Sequence, residues 1–482
     1  MIWATVLLTL LRELIRAAIV PFRLLGYLPF RHRWRARARE ALDAAAAAPA
    51  PDVEQELQPF FALGAASSAR AAQAADGDAP RHVFISAGEA SGELHAARLV
   101  RDLQARAAAA ANPADGHSLR VSAFGGSQLE AAGAQLRFSL SEHAVMGVIG
   151  VLKQLPLILR AVADYLRMLR DDPPALVVLV DYPGLHLVLA KLAKRRKIPV
   201  LHYVAPQYWA WGPWRMRRYR RAVDATLTIL PFETEFFRRQ RVPATYIGHP
   251  LLDEIADEPP APEAVAAAQS HKTIVILPGS RRAEIAANLP GLLRAARSLQ
   301  EQDPSLRIVV PHKNPRRTAP IRALLQELDA GDVEHHEGPL SAWLAGAWLV
   351  LAKSGTGSLE ACLHGPPTVV VYKLRSWFAS LGYHNILSVP YIAGANLIAG
   401  REIVPEHCFH GDDGWRDVQQ SVHRLCFDEE ARRICQDDIA ECRRRLGAPG
   451  ATARTAAIVH RFLFGPAASR PSQAASPAAP QP

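Results

Sequence analysis

The sequence predicts an α/β protein made of two parallel sheets, each covered by helices on both faces and both facing one central cleft. Three observations carry this. Short β-branched runs alternate with helical stretches over most of the chain, which is the pattern of strands buried on both sides. The alternation comes in two series, separated by the Pro/Ala-rich stretch 257–270. Four strand-to-helix junctions are built of small residues beside charged ones, which suits ligand binding at the carboxyl ends of parallel strands.

In the first series, strands are expected at His82–Ser86, Leu119–Phe124, Leu176–Asp181, Pro199–Val204, Ala225–Ile229 and Ala244–Ile247. Helices are expected at Ser91–Ala108, Val151–Arg170, Leu185–Arg196 and Phe232–Arg239. The second series has strands at Thr273–Leu277, Arg307–Val310, Val333–His336, Trp348–Ala352 and Thr368–Val371, with helices at Ala283–Gln302, Arg316–Asp329 and Gly357–Leu363. Ahead of both lies a mostly apolar segment, 1–29, in which Arg12, Arg16 and Arg23 fall on one narrow helical stripe. That spacing predicts a helix lying in a membrane interface, since a spanning helix of about 20 residues would bury these charges. The basic run His32–Arg39 places the chain beyond it on the cytoplasmic side. Residues 41–80 read as an Ala/Pro-rich linker, helical at most in part, and 467–482 as a disordered tail.

A chain of 482 residues suits two domains plus tails, and 49% hydrophobic with 21% charged residues is ordinary for a globular protein. The net charge of +10 is concentrated in Arg31–Arg39 and Arg215–Arg221, which points to an anionic partner: a membrane surface, a nucleic acid or a phosphorylated substrate. Five cysteines, odd in number and without a C-x-x-C pair, argue against a disulfide framework or structural zinc site and for a reducing compartment. His407, Cys408 and His410 form the one group of metal-type ligands, and no second group stands at metal spacing.

The first junction, Ser86-Ala-Gly-Glu-Ala-Ser-Gly-Glu93, carries the carboxylates Glu89 and Glu93, and its Ser86/Glu89 pair also matches a capping box. The second, Val180-Asp-Tyr-Pro-Gly184, places Asp181 at a strand's carboxyl end, where it could accept a proton from a hydroxyl or simply serve a turn. The third, Leu277-Pro-Gly-Ser-Arg281, leaves backbone N–H groups and a guanidinium for an anion at a helix start. The fourth, Lys353-Ser-Gly-Thr-Gly-Ser-Leu-Glu-Ala361, offers a second anion site at Gly355–Gly357, with Glu360 about one turn into the helix. Between the second and third, His202–Arg221 interleaves aromatics with arginines, as in a nucleic-acid, membrane or amphiphile surface. Ala144–Leu152 is apolar with two glycines.

Taken together, these stretches resemble lipid-A-disaccharide synthases, inverting glycosyltransferases of the GT-B class with two Rossmann-like domains. The resemblance runs from Val83 to Glu406. It rests on Ala87-Gly-Glu-Ala-Ser-Gly92, Met146-Gly-Val148, His202-Tyr-Val-Ala-Pro206, Trp209-Ala-Trp211, Leu230-Pro-Phe-Glu233, Ile247-Gly-His-Pro250, Leu277–Arg281, Ser354-Gly-Thr356 and Asn396-Leu-Ile-Ala-Gly-Arg-Glu402. It implies transfer of 2,3-diacylglucosamine from its UDP derivative to 2,3-diacylglucosamine 1-phosphate (lipid X), with no cofactor and no required metal. The resemblance implies Asp181 as catalytic residue with Glu89 and Asn396 beside it. For the UDP-sugar it implies Gly279, Ser280, Arg281, Ser354, Gly355, Thr356, Glu360, Asn396 and Glu402. For the acceptor and acyl chains the candidates are Met146, Val148, Ile149, Trp209 and Trp211. His186 or Glu89 are alternative bases. Glu93 stands where the family usually has Asp, His186 stands where Asn is common, and the amino-terminal extension is unusual.

The expected organisation is a membrane-associating segment 1–40, the linker 41–80, an acceptor domain 81–256, a donor domain 271–404, carboxyl-terminal helices 405–466 and the tail. The expected location is the cytoplasmic face of the bacterial inner membrane, peripheral or anchored by the amino terminus. A homodimer is implied by analogy and no nucleic-acid partner is expected. The rival readings are a MurG-like or other GT-B transferase with a different lipid acceptor, and a non-catalytic membrane or nucleic-acid binding protein.

Overall fold

A computed structural model of the chain describes residues 2–19, 22, 26–47, 53–74, 80–110, 118–140, 155–374 and 376–465. Helices α1 (Ile2–Ala18), α2 (Arg31–Ala47) and α3 (Val53–Ala74) precede the first sheet. That sheet holds β1 (Arg81–Ala87), β2 (Leu119–Gly125), β3 (Gln135–Ser139), β4 (Leu176–Val180), β5 (Val200–Tyr203), β6 (Ala225–Thr228) and β7 (Ala244–Tyr246). Its helices are α4 (Ala90–Ala110), α5 (Ser127–Ala131), α6 (Leu155–Asp171), α7 (Pro183–Arg195), α8 (Met216–Tyr219) and α9 (Pro231–Arg239). The crossover region carries α10 (Pro250–Asp257) and α11 (Pro262–Gln269).

The second sheet holds β8 (Thr273–Leu277), β9 (Arg307–His312), β10 (Glu334–Glu337), β11 (Leu349–Lys353), β12 (Thr368–Leu374) and β13 (Glu406–His410). Its helices are α12 (Arg282–Gln300), α13 (Thr318–Glu327), α14 (Ser341–Ala345), α15 (Thr356–His364), α16 (Trp377–Ile386) and α17 (Gly394–Ala399). Three helices close the described chain: α18 (Trp415–Phe427), α19 (Glu429–Leu446) and α20 (Ala451–Phe464).

Both sheets are wholly parallel, in the orders β3-β2-β1-β4-β5-β6-β7 and β10-β9-β8-β11-β12-β13. This is the two-Rossmann GT-B arrangement, and each sheet reverses its strand order beside its first strand, at β1/β4 and β8/β11. The central strands are continuous apolar runs because helices cover both faces: all five residues of β4 and of β8 are buried. Two strands, β3 and β13, fall outside the runs expected from sequence. Both are edge strands, and their partly exposed residues lack the β-branched signature. Because β13 pairs with β12, the second sheet reaches beyond residue 404, into the stretch expected to be helical only.

The stretch 41–80, expected as a linker, instead carries the end of α2 and all of α3. Helix α2 buries Ala38, Ala41 and Leu42 and packs on α9 of the first half and α17 of the second. Helix α3 buries Leu57 and Phe60, and Phe60 stacks on Phe462 of α20 with ring centroids 4.4 Å apart. Gly64 permits this approach, since a Cβ there would stand 2.6 Å from the Phe462 carbonyl. The small residues that resemble linker composition thus serve close helix packing.

The last helix returns to the first half. Asp253 at the end of that half accepts hydrogen bonds from the N–H groups of Gly450, Ala451 and Thr452, at 2.6, 3.1 and 2.9 Å. Arg454 reaches the Ile247 carbonyl at 2.7 Å, and the Tyr246 hydroxyl donates to the Leu446 carbonyl at 2.8 Å. The Ile247–Pro250 motif is therefore part of the dock for α20. Burial pushes the Asp253 carboxyl up, but the donors at Thr452, Gly450 and Ala451 outweigh it and hold it below its ordinary value. Its stabilisation is present above the unfolded pKa of about 3.9 and is lost as pH falls through the lower folded value. Asp253→Ala removes a charged helix cap and is expected to destabilise by about 2 kcal/mol, read as a lower urea midpoint; an unchanged midpoint would mean α20 docks without it.

Candidate active site

The two strand-order reversals supply the site. At the β1/β4 reversal the chain leaves β4 through Asp181 and Tyr182, both left-handed with φ of 52° and 48°. Two successive non-glycine residues in that region are strained, so their surroundings must hold them. The Asp181 carbonyl receives two imidazole nitrogens, His186 Nδ1 at 2.7 Å and His202 Nε2 at 3.1 Å. A carbonyl can only accept, so His186 is protonated on Nδ1, and its Nε2 accepts from the Ser86 hydroxyl at 2.9 Å. Burial lowers His186 to about 3 and His202 to about 4, so both rings are neutral at physiological pH. Tyr182 lies over Gly88: a Cβ at Gly88 would stand 2.1 Å from the tyrosine ring, so only glycine fits there.

This cradle presents the Asp181 side chain, partly exposed, at the carboxyl edge of the sheet. Burial, followed by the nearby charge of Glu89, raises its pKa to about 6. A carboxyl near 6 is ionised at neutral pH yet holds a proton better than an ordinary aspartate, which suits a general base.

At the β8/β11 reversal the Leu277–Arg281 turn opens α12. Its N–H groups are engaged by the helix's own Glu284, whose Oε2 accepts from Ser280 and Arg281 at 3.2 and 3.3 Å. Arg281 Nη1 donates to Oε1 of the same carboxylate at 3.0 Å, and Lys353 Nζ lies 3.4 Å from it. Gly355 N–H is similarly bonded to the Ser358 hydroxyl, and Ser354 Oγ donates to the Ile392 carbonyl. Of the backbone donors expected to be free, those of Ser280, Arg281 and Gly355 are thus capped by side chains. Lys313 donates to Glu360 at 2.6 Å, and Arg317 Nε to the Ser280 carbonyl at 2.9 Å. Arg281, Lys313, Arg317 and Lys353 together make this edge strongly cationic, which suits a diphosphate.

The halves meet where Arg281 Nη2 stands 3.8 Å from Glu89 Oε2. Arg281 is about half exposed, so this pair holds weakly and an entering ligand can replace it.

A family model described as lipid-A-disaccharide synthetase matches residues 83–460. The chain belongs to this family. Among its relatives, the lipid-A-disaccharide synthase of Trichlorobacter lovleyi is 32% identical, over 79% of this chain and 97% of its own length. That of Myxococcus xanthus is 34% identical over 80% and 98%, and that of Anaeromyxobacter dehalogenans 35% identical over 78% and 95%. Among solved structures, a Staphylococcus aureus MnaA–UDP co-structure aligns with a TM-score of 0.53 at 15% identity, covering 80% of this chain and 97% of that one. UDP-GlcNAc 2-epimerase from Neisseria meningitidis bound to UDP-GlcNAc aligns with 0.51 at 15% identity, covering 79% and 99%. At such identity these structures speak to the fold alone. The helices α1 to α3 precede the stretch matched by the family model.

Of the residues singled out from sequence, Asp181, Glu89, Gly279, Ser280 and Arg281 come together across the cleft, and Ser354, Gly355, Thr356 and Glu360 line its second-half edge. Others do not fit their expected roles. Asn396 is fully buried and spends its amide on structure: Nδ2 donates to the Val404 carbonyl and to Glu406, while Oδ1 accepts from Ile403 and Val404 N–H. It fixes the turn before β13 and has no capacity left for substrate. Glu402, by contrast, is exposed on that turn. Trp209 is only 3% exposed, packs edge-on against Phe232 and donates to the buried Glu233 at 2.9 Å, so it offers no surface to an acyl chain; Trp211 is 41% exposed. Met146, Val148 and Ile149 lie outside the described residues. His186 is sealed, and both its ring nitrogens are bonded within the protein, so it holds the Asp181 carbonyl and presents no free nitrogen to the cleft.

The capping-box reading of Ser86 also fails, because its hydroxyl goes to His186. Glu93 turns away from the cleft and accepts from the Gln128 N–H at the start of α5 at 2.9 Å. No group of three or more metal-type ligands occurs among the described residues, and His407 bonds instead to Ser421 at 2.9 Å. Lys313, Arg317 and Glu284 were missed from sequence. The basic junction His312-Lys-Asn-Pro-Arg-Arg317 at the end of β9 is the signal that could have found the first two.

His186→Ala frees the Asp181 carbonyl from one of its two donors. Transfer turnover is expected to fall roughly a hundredfold with donor KM near normal. His186→Asn, which keeps a donor, should recover most of it; equal loss in both variants would show that packing alone matters.

Proposed function

We propose that the chain joins UDP-2,3-diacylglucosamine to lipid X, forming a β-1,6-linked disaccharide 1-phosphate and UDP. Family membership supports this over a transferase with another lipid acceptor. The observation that carries the site assignment is the line Asp181–Glu89–Arg281, drawn from the two strand-order reversals to one point. We assign 81–256 to the acceptor and 271–404 with β13 to the donor.

Asp181 is the general base. It takes the proton of the acceptor's 6-hydroxyl as that oxygen attacks the anomeric carbon. The bond from that carbon to the UDP oxygen breaks, and its electron pair leaves with UDP. Negative charge grows on the β-phosphate, where Arg281, Lys353, Lys313 and Arg317 stabilise it more in the transition state than in the ground state. The diphosphate reaches the Ser280 and Arg281 N–H groups by exchanging with the Glu284 carboxylate. Glu89 passes from its pairing with Arg281 to the acceptor side, where its charge keeps the Asp181 pKa high. In-line displacement with inversion needs no covalent enzyme nucleophile.

The lipid substrates place this reaction at a membrane. Among the described residues no helix is long and apolar enough to cross one. We propose peripheral attachment through α1 at the cytoplasmic face of the inner membrane, with Trp211 beside the acyl chains. A homodimer by exchange of carboxyl-terminal helices is the further assembly implied by the family resemblance.

Incubation with UDP-diacylglucosamine and lipid X should yield disaccharide phosphate by mass; its absence with a folded protein would end this reading. Asp181→Asn is expected to lower turnover by roughly 10²–10⁴-fold while UDP binding stays near normal. In the wild type, kcat/KM should rise with pH through about 6 and level off above it, because the base must be ionised to act. A flat acid limb would point to another base. Arg281→Ala should weaken UDP binding roughly tenfold or more by calorimetry, and an unchanged titration would remove it from the donor site.

A further inference from the structure

Helix α1 is mounted inside out for a helix of a water-soluble surface. Trp3, Leu7, Leu8, Leu11 and Ile15 are each 48–58% exposed and form its outer stripe, with Ile19 continuing it. The opposite stripe faces the protein. Val6 is buried there with Ile2 against the first half, and Glu13 and Arg16 lie toward α7. Arg12 and Arg16 therefore flank or underlie the apolar stripe, where sequence spacing alone had them facing the headgroups as a stripe of their own.

Between α1 and α7 lies a small hollow, open to solvent and lined by Arg12, Glu13, Arg16, Lys191 and Arg195. Four cations surround a single carboxylate. Glu13 pairs with Arg16 and stands 3.6 Å from Lys191 Nζ. That ammonium is buried and has no hydrogen-bond partner within reach. Neither Arg12 nor Arg195 is paired with a carboxylate among the described residues, and both are exposed at the rim. Burial, with Arg218 and Arg16 nearby, lowers Lys191 to about 8 against the opposing charge of Glu13.

We propose that this hollow binds the phosphate of an anionic phospholipid headgroup while the Trp3–Ile15 stripe enters the acyl boundary of the same leaflet. The geometry fits one occupant. The cations lie beside the apolar stripe, as headgroup phosphates lie beside acyl chains. A second copy of this chain fits poorly, because an isologous pairing would bring the same cations face to face on a chain of net charge +10. The proposal rests on peripheral attachment through α1 and adds to it a specific anion site.

The test is co-sedimentation of the full chain with vesicles of phosphatidylcholine alone and of phosphatidylcholine mixed with phosphatidylglycerol. The wild type should bind the mixed vesicles much more tightly. Lys191→Gln with Arg16→Gln should weaken binding to mixed vesicles roughly thirtyfold and leave binding to neutral vesicles unchanged. Arg12→Gln with Arg195→Gln removes two exposed cations without a carboxylate partner, so folding is preserved and a similar loss is expected. Leu7→Ser with Leu11→Ser should lower binding to both. If the cation variants keep the wild-type preference for phosphatidylglycerol, the headgroup site is wrong while the attachment stands. If the wild type binds neither vesicle, the attachment fails and the site with it.

Discussion

Two open parallel sheets can share a ligand only if their carboxyl edges are held facing each other, and the carboxylate of Asp253 is where the chain secures this. The polypeptide leaves the first half just after Asp253 and returns to it at Gly450, and one side chain joins the two crossings by three charge-assisted hydrogen bonds. Tyr246 and Arg454 add bonds on either side, and α3 covers the returning helix from without. Helix α2 repeats the stitch elsewhere, packed on α9 and α17 together. Nearby, Tyr27 joins Trp214 of the first half to Ser388 of the second, and Ser388 N–H bonds to the Ala210 carbonyl. Lateral drift of the halves is thereby opposed, while the weak Arg281–Glu89 contact leaves the cleft itself free to exchange partners.

Within this frame the two edges play different physical parts. The first-half edge stores strain: Asp181 and Tyr182 sit left-handed because two neutral imidazoles grip one carbonyl and a tyrosine ring fills the place of a missing Cβ at Gly88. The second-half edge gathers charge: Arg281 and Lys353 share Glu284, Lys313 pairs with Glu360, and Arg317 holds the Ser280 carbonyl, an arrangement that suits a diphosphate. Strain fixes the direction of a side chain, whereas exchangeable ion pairs leave an edge able to take up an anion.

The amino-terminal helices show how composition misleads when its partner is unknown. Ala-rich sequence is equally compatible with a loose linker and with helices packed closely through small side chains; contact with Phe462 and with α9 decides between them. In α1 the stripe of arginines was legible from spacing, yet which stripe faces outward depends on α6 and α7, over a hundred residues away.

The sequence alone determined the α/β class, the two series and their central strands, because strands buried on both faces must be continuously apolar. It also identified the four junctions, since small residues and charge at a strand's end are chemically distinctive. Edge strands β3 and β13 were hidden because partial exposure relaxes that rule. Only the tertiary structure decided which polar residues remain available for chemistry. Asn396, Trp209, His186 and Glu93 carry the right groups in motif-like positions, but neighbours distant in sequence have already taken their hydrogen bonds or buried them. Asp181, Glu89 and Arg281 remain at the cleft because the opposed sheet edges bring them together there.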